Sequence, residues 1–132
     1  MGYKRLIIQD GGMTRNARVG DSEQNPLITV ISADAADTLT VTKCSGGVVQ
    51  YTGFTAGRVL TTDTAANYLA AYPEMDVGDA YLFKVSCVAA FAGTWAAAAG
   101  VTLKGKTTCP ASSNVDVYIV KTSATTVDWN VL

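Results

Sequence analysis

The sequence predicts a mainly β protein, an antiparallel β-sandwich or barrel, and three observations carry that expectation. Short runs rich in valine, isoleucine and threonine recur along the chain. Several of them alternate at period two, which puts one face in a core and the other in water. Stretches rich in glycine, serine and aspartate separate them at the close spacing of turns between short strands. The chain has 132 residues, 48% of them apolar and 16% charged, enough for one domain around a single core.

Residues 1–26 differ from the rest. "YKRLIIQ" can pair as a strand, but "DGGMTRNARVGDSEQNP" has scattered charges and few large apolar groups. It cannot build a core of its own. An extended N-terminal arm is expected over residues 1–26 and a β-sandwich domain over residues 27–132. "LITVIS" opens that domain as a continuous apolar, β-branched run. "ADAAD" punctuates it, "TLTVTK" alternates Leu39 and Val41 against threonines, and "GGVVQYTG" follows a further turn.

"TDTAANYLAAYP", residues 62–73, is the one stretch that reads as a helix, expected over about residues 63–72. Thr62 or Asp63 can cap it by accepting from backbone N–H groups that lack a partner within the helix. Ala65, Leu69 and Tyr72 share one face, and Pro73 stops it. So short a helix is marginal in isolation, so it is expected to be held by packing across an open end or edge of the sheets. Beyond it, "PEMDVGD" is an acidic turn. "AYLFKVSC" sets Tyr81, Phe83, Val85 and Cys87 on one face and Leu82, Lys84 and Ser86 on the other. "TWAAAAG" has alanine's helix propensity, but Gly93 and Gly100 bracket it, and strand and turn are expected there. "NVDVYIVKT" and "TTVDWNVL" alternate cleanly, and the short "SAT" between them predicts a hairpin.

Composition excludes several function classes. A formal net charge of -1 leaves no basic surplus to neutralise phosphates, and the aromatic residues are not interleaved with a basic patch. No apolar run is long enough to cross a bilayer, and "MGYKRLIIQDGG" has no signal-peptide core. A soluble protein made in a cytosol is expected, with no nucleic-acid or membrane partner. The chain has no histidine, so no Ser-His-Asp or Cys-His arrangement can form. Glu74, Asp76 and Asp79 could offer oxygens to calcium or a carboxylate pair to a glycoside. Their spacing is not that of an EF-hand, however, and Glu74 and Asp76 lie in one turn rather than across a cleft. A solvated acidic turn is expected.

Cys44, Cys87 and Cys109 are odd in number and match no zinc spacing. They read as small buried hydrophobes, with a single bridge in an oxidising medium left open. Cys44, beside Lys43, reads as an ordinary strand position. No catalytic residue, metal ligand or cofactor site is expected, and the chain does not read as an enzyme.

A further pattern runs through residues 47–132. A T-x-T-A-A-x-x-L-A-A helix at Thr62 to Ala71 is followed by a V-G-D turn at Val77 to Asp79 and an aromatic-aliphatic strand. An A-A-G-V-T-L turn and strand follows at Ala98 to Leu103, then a strand pair ending on an aromatic, Trp129. This order resembles small capsid decoration, or cement, proteins of tailed double-stranded DNA bacteriophages. The resemblance implies a sandwich of jelly-roll type on the outer capsid surface of the virion. There it bridges neighbouring major capsid protein subunits and stabilises the assembled shell without cofactor or chemistry. It also implies a homodimer or homotrimer. The arm lies outside the resemblance and is expected to act as a tether, adding a strand to a neighbour's sheet edge. Tyr3, Lys4, Arg5, Leu6, Ile7, Arg15 and Arg18 are the expected capsid or subunit contacts. The alternative is a phage tail fibre or spike module that binds a host surface glycan, with Trp95 or Tyr68 exposed and stacked on sugar.

Overall fold

The computed structural model describes residues 6–10, 13–17 and 27–132. In chain order they form β1 (Leu6–Asp10), β2 (Met13–Ala17), β3 (Leu27–Ile31), β4 (Asp37–Leu39), α1 (Val41–Cys44), β5 (Gly47–Tyr51), β6 (Arg58–Thr62) and α2 (Ala65–Ala71). Then come β7 (Ala80–Cys87), β8 (Gly93–Ala96), β9 (Val101–Gly105), β10 (Thr108–Cys109), β11 (Ser113–Lys121) and β12 (Val127–Val131). The protein is mainly β; over residues 27–132 it is 48% strand and 10% helix.

Two sheets face each other across one core. The larger runs β2-β1-β7-β11-β12-β9, with β5 and β3 joined to β7 as well; the smaller runs β10-β8-β6-β4. One long edge of β7 is filled by β11, from Ser113 opposite Cys87 to Val120 opposite Ala80. Its other edge is shared. β1 takes the first part, Ala80 and Tyr81, and β5 takes the last, Lys84 to Cys87.

Strand direction departs from the antiparallel expectation. β1–β2, β7–β11, β8–β10 and β11–β12 are antiparallel. The other described pairings, β1–β7, β3–β5, β4–β6, β5–β7, β6–β8 and β9–β12, are parallel. The cause is the path of the chain. From β3 to β8 it alternates between the sheets: β3, β5 and β7 lie in the larger and β4, β6 and β8 in the smaller. Each strand therefore re-enters its sheet in the direction of the one before. A parallel pair needs a crossover rather than a hairpin, and here a strand of the facing sheet supplies it. Alternation in sequence reports which face a residue occupies, not which way its neighbour runs.

Successive coils of this winding are stacked at both ends. At one end, Asp34 in the β3–β4 loop accepts from the Thr55 backbone N–H at 3.0 Å and from Arg58 Nε and Nη2 at 3.0 and 2.8 Å. Thr55 Oγ1 also bonds its carboxylate. The Arg58 N–H in turn donates to Ala92 O at 3.2 Å, in the next loop. Gly53 permits the approach, since a Cβ there would lie 1.9 Å from Ser32 O.

At the other end, Asp63 links the two helices. Its carboxylate accepts from Val41 N at 3.1 Å, Thr64 N at 2.8 Å and Asn67 Nδ2 at 2.6 Å. The next coil is joined there by Ala65 N donating to Ala99 O at 3.0 Å and Ala98 N donating to Thr62 Oγ1 at 3.0 Å.

α2 begins slightly later than the sequence suggested. Its cap is Thr64, extended in backbone, whose side chain accepts from Asn67 N. Thr62 Oγ1 accepts from Ala98 N of the next coil, while Asp63 supports the start of α2 through Thr64 N and Asn67 Nδ2 and also reaches Val41 N. Ala65, Tyr68 and Tyr72 are buried and Leu69 is only partly so. Tyr68 thus takes the central place on the buried face that was assigned to Leu69.

A second helix was not expected. Val41–Cys44 turns helically where "TLTVTK" suggested a strand, because Thr40 caps it from the sequence side and Asp63 accepts from Val41 N across the fold. Lys43 then reaches back to Asp37 Oδ1 at 2.6 Å, while Tyr51 Oη donates to Asp37 Oδ2 at 2.8 Å.

The inward faces read from sequence hold for β7, β11 and β12. Tyr81, Phe83, Val85 and Cys87 are buried, as are Val115, Val117, Ile119, Val127, Trp129 and Val131. Trp129 is the centre, with the rings of Phe83, Trp95 and Tyr68 at 5.2, 5.7 and 6.1 Å. Such aromatic contacts add to the stabilisation that burial alone provides.

Candidate interaction surface

The outer face of the larger sheet changes character across its width. Toward β11, β12 and β9 it carries paired charge. Lys84 and Asp116 stand opposite each other on β7 and β11 with Nζ–Oδ1 at 2.8 Å, and Lys104 reaches Asp128 at 2.6 Å. These exposed pairs contribute little to stability, but they make that part of the sheet a wetted surface.

Toward β3 the charge disappears. Ile28 and Val30 lie in register with Val48 and Gln50 of β5. They are 60% and 54% exposed, with Leu27 at 61%. The run "LITVI" was expected to open a buried sandwich strand. It is instead the first coil of the winding, with β5 on one side and no partner on the other among the described residues. An edge strand is normally shielded by charge, proline or a bulge. None of these interrupts Leu27–Ile31. Val88 and Phe91, in the loop after β7, are also exposed. That loop adjoins the end of β5, because Val88 N donates to Tyr51 O at 3.0 Å.

The expected arm residues divide into two groups. Leu6, Ile7 and Arg15 fall on the β1–β2 hairpin; Tyr3, Lys4, Arg5 and Arg18 lie outside the described residues. Leu6 and Ile7 pair with Ala80 and Tyr81 of the chain's own sheet. Arg15 stands opposite Ile8 on the outer strand. Only those two residues of β1 pair with β7, while all five pair with β2. Past Ile7, β1 is paired with β2 and not with β7, whose same edge is taken by β5 from Lys84 onward.

The polar groups that suggested chemistry are used by the fold. Asp79 is buried, not solvated as the acidic-turn reading had it. It fastens its own turn by accepting from Asp76 N at 2.8 Å. Its backbone and that of Gly78 pair with Lys121, whose Nζ donates to Met75 O at 2.9 Å. Glu74 and Asp76 are exposed on this one turn. No group of acidic or cysteine ligands among the described residues is placed to hold a metal ion. No helix among them is long and apolar enough to cross a membrane.

Cys44 sits in α1 rather than in a strand. It is fully buried, and desolvation pushes its thiol pKa well up, which outweighs Lys43 beside it. Trp95 and Tyr68, the aromatics on which sugar stacking depended, are 6% and 1% exposed. Tyr68 Oη donates to Leu39 O at 2.9 Å and accepts from Asp63 N at 3.0 Å.

The class of molecule these features define is a mixed-sheet β domain with an apolar edge strand, β3, that has no second partner among the described residues. Comparison with protein-family models, with curated proteins and with solved structures gives no match.

Proposed function

We propose that this chain is a structural virion protein of a tailed double-stranded DNA phage, a cement or decoration protein. It binds the outer surface of the assembled capsid and bridges major capsid protein subunits. The sequence pattern of residues 47–132 suggests the class. The structural observation that supports it most is the β3 edge, which has no partner among the described residues and leaves Leu27, Ile28 and Val30 exposed. An extended capsid segment can add to such an edge through backbone hydrogen bonds, and its apolar side chains then meet Ile28 and Val30. The β1–β2 hairpin, held to the sheet by two residues, offers a second arm-like contact. Self-association into a dimer or trimer and synthesis in the host cytoplasm belong to the same proposal; the jelly-roll type, an antiparallel arrangement, does not fit the parallel winding from β3 to β8.

Binding of this kind needs no chemistry. A protein that binds only the assembled shell stabilises it by mass action, and many copies on one particle make modest single contacts sufficient. The glycan-binding alternative is weakened by the burial of Trp95 and Tyr68. The test is co-sedimentation of the purified protein with expanded capsids and with free capsid subunits. Saturable binding to capsids alone is expected, reduced at least tenfold by the double substitution Ile28→Asp and Val30→Asp. Equal binding by that variant removes β3 from the proposal, and no binding to capsids removes the proposal.

A further inference from the structure

Two of the three cysteines meet across the two sheets. Cys87 ends β7 in the larger sheet, and Cys109 ends β10 in the smaller one. Both are fully buried. The sheets converge at this corner, where β10 comes within 8 Å, Cα to Cα, of both β7 and β11.

The strand registers and sulfur contacts bring the two thiols together at this corner. Cys109 stands opposite Gly93 on β8, and a Cβ on Gly93 would lie 3.6 Å from Cys87 Sγ. Cys109 Sγ is 3.6 Å from Val85 O and 3.8 Å from Ser113 O. Ser113 is in turn the register partner of Cys87 on β11. The two thiols are close enough to shift each other's ionisation in opposite directions. Glycine at position 93 keeps this space open, because any side chain there would also strike Leu60. Cys44 is remote from the pair: it lies in α1 at the helical end, with its thiol against Leu39 O at 3.7 Å.

We propose that Cys87 and Cys109 are a latent disulfide site: reduced thiols in a reducing cytosol, and a reversible bridge between the sheets in an oxidising medium. The proposal stands independently of the capsid reading. The reaction is thiol–disulfide exchange with a low-molecular-weight disulfide. The Cys87 thiolate attacks one sulfur of that disulfide, whose S–S bond breaks, and one small thiolate leaves. The Cys109 thiolate then attacks Cys87 Sγ in the mixed disulfide, forming the Cys87–Cys109 bond and releasing the second small thiolate. Two cysteine thiols are oxidised, one small disulfide is reduced to two thiols, and the two cysteine protons end on those thiols.

Cys87 is the first attacker. Interaction with the neighbouring Cys109 thiol lowers its pKa, while the same interaction and burial raise that of Cys109, and the thiolate is the reactive form. Local opening of the exposed loop that follows Cys87, carrying Val88 and Phe91, gives the reagent access.

The test uses the full chain, incubated with oxidised glutathione or with dithiothreitol, followed by thiol titration in denaturant and peptide mapping. Oxidation is expected to lower the count from three thiols to one and to link the Cys87 and Cys109 peptides within one chain. A higher thermal midpoint, reversed by dithiothreitol, is expected with it. Cys44→Ser should titrate from two thiols to none. Retention of all three thiols, a bridge that involves Cys44 or a second chain, or an unchanged midpoint on bridging overturns the proposal. Mapping of the unsubstituted protein decides the pairing even where Cys109→Ser fails to fold.

Discussion

Replacing Tyr68 with phenylalanine isolates one hydroxyl at the junction of both sheets and both helices. That hydroxyl donates to Leu39 O at 2.9 Å and accepts from Asp63 N at 3.0 Å. It therefore joins the end of β4 to the residue that links α1 and α2. The ring stays in place against Trp129, so packing is nearly unchanged. What is lost is partnership for two backbone groups. Leaving a buried polar group unsatisfied costs about 1–3 kcal/mol. Leu39 is fully buried and keeps only the weak Cys44 S–H at 3.7 Å, so it bears most of that cost, whereas half-buried Asp63 can recover part of it from water. The sum is about 2–3 kcal/mol, or about 7–10 °C in Tm for a chain of this size. Urea denaturation followed by tryptophan fluorescence measures it, with Tyr118→Phe on the half-buried outer face of β11 as the control, expected within about 0.5 kcal/mol. A Tyr68→Phe cost below about 0.5 kcal/mol would refute the claim that this hydroxyl ties the helical end together.

Other predictions follow from the corner loops and the buried phenols. Asp34 is held at a pKa of about 2, first by its side-chain and backbone bonds from Thr55 and then by Arg58. A depressed folded pKa gives stability that is present above the unfolded value near 4 and lost as pH falls toward 2. A carboxyl titration by NMR should show that midpoint, and Asp34→Asn should flatten stability over this window. A Gly53→Ala substitution drives a Cβ against Ser32 O and should cost at least about 2 kcal/mol by denaturant melt. Burial raises the pKa of Tyr51, Tyr68 and Tyr81 far above the ordinary phenol value and that of Tyr72 to about 12. These phenols are neutral in the fold, so stability should be constant up to about pH 10 and fall above it. In an ultraviolet titration they should ionise together with alkaline unfolding, and smooth ionisation at about pH 10 in the folded protein would contradict their burial.

The faces of the strands were legible in the sequence because burial imposes period two directly. β7, β11 and β12 follow their alternation residue by residue, and the hairpin between β11 and β12 follows from its short loop. Strand direction was not legible, because it depends on whether a loop returns to the same sheet or crosses to the other. α1 was hidden for a related reason. Val41 and Thr42 favour strands locally, and the carboxylate that fixes the turn, Asp63, lies on the next coil. Asp79 read as solvated because its acceptor role depends on how its own turn closes.

The candidate surface shows the same division. "LITVI" was correctly read as a strand. A continuous apolar run looks buried, however, and only the topology shows that it is the outermost coil. Leu6 and Ile7 were legible as a pairing segment, but their partner, the first residues of β7, was not. The closeness of Cys87 and Cys109 is a property of two sheets converging, which no spacing along the chain reports.

The central claim is attachment to the outside of an assembled capsid. Cryo-EM of virions from the source proposed for this chain tests it most directly. The account predicts density for the domain on the outer shell at repeated symmetry-related sites, with the β3 edge or the β1–β2 hairpin against major capsid protein. Mature heads without such density, or the domain located only on the tail, would contradict it.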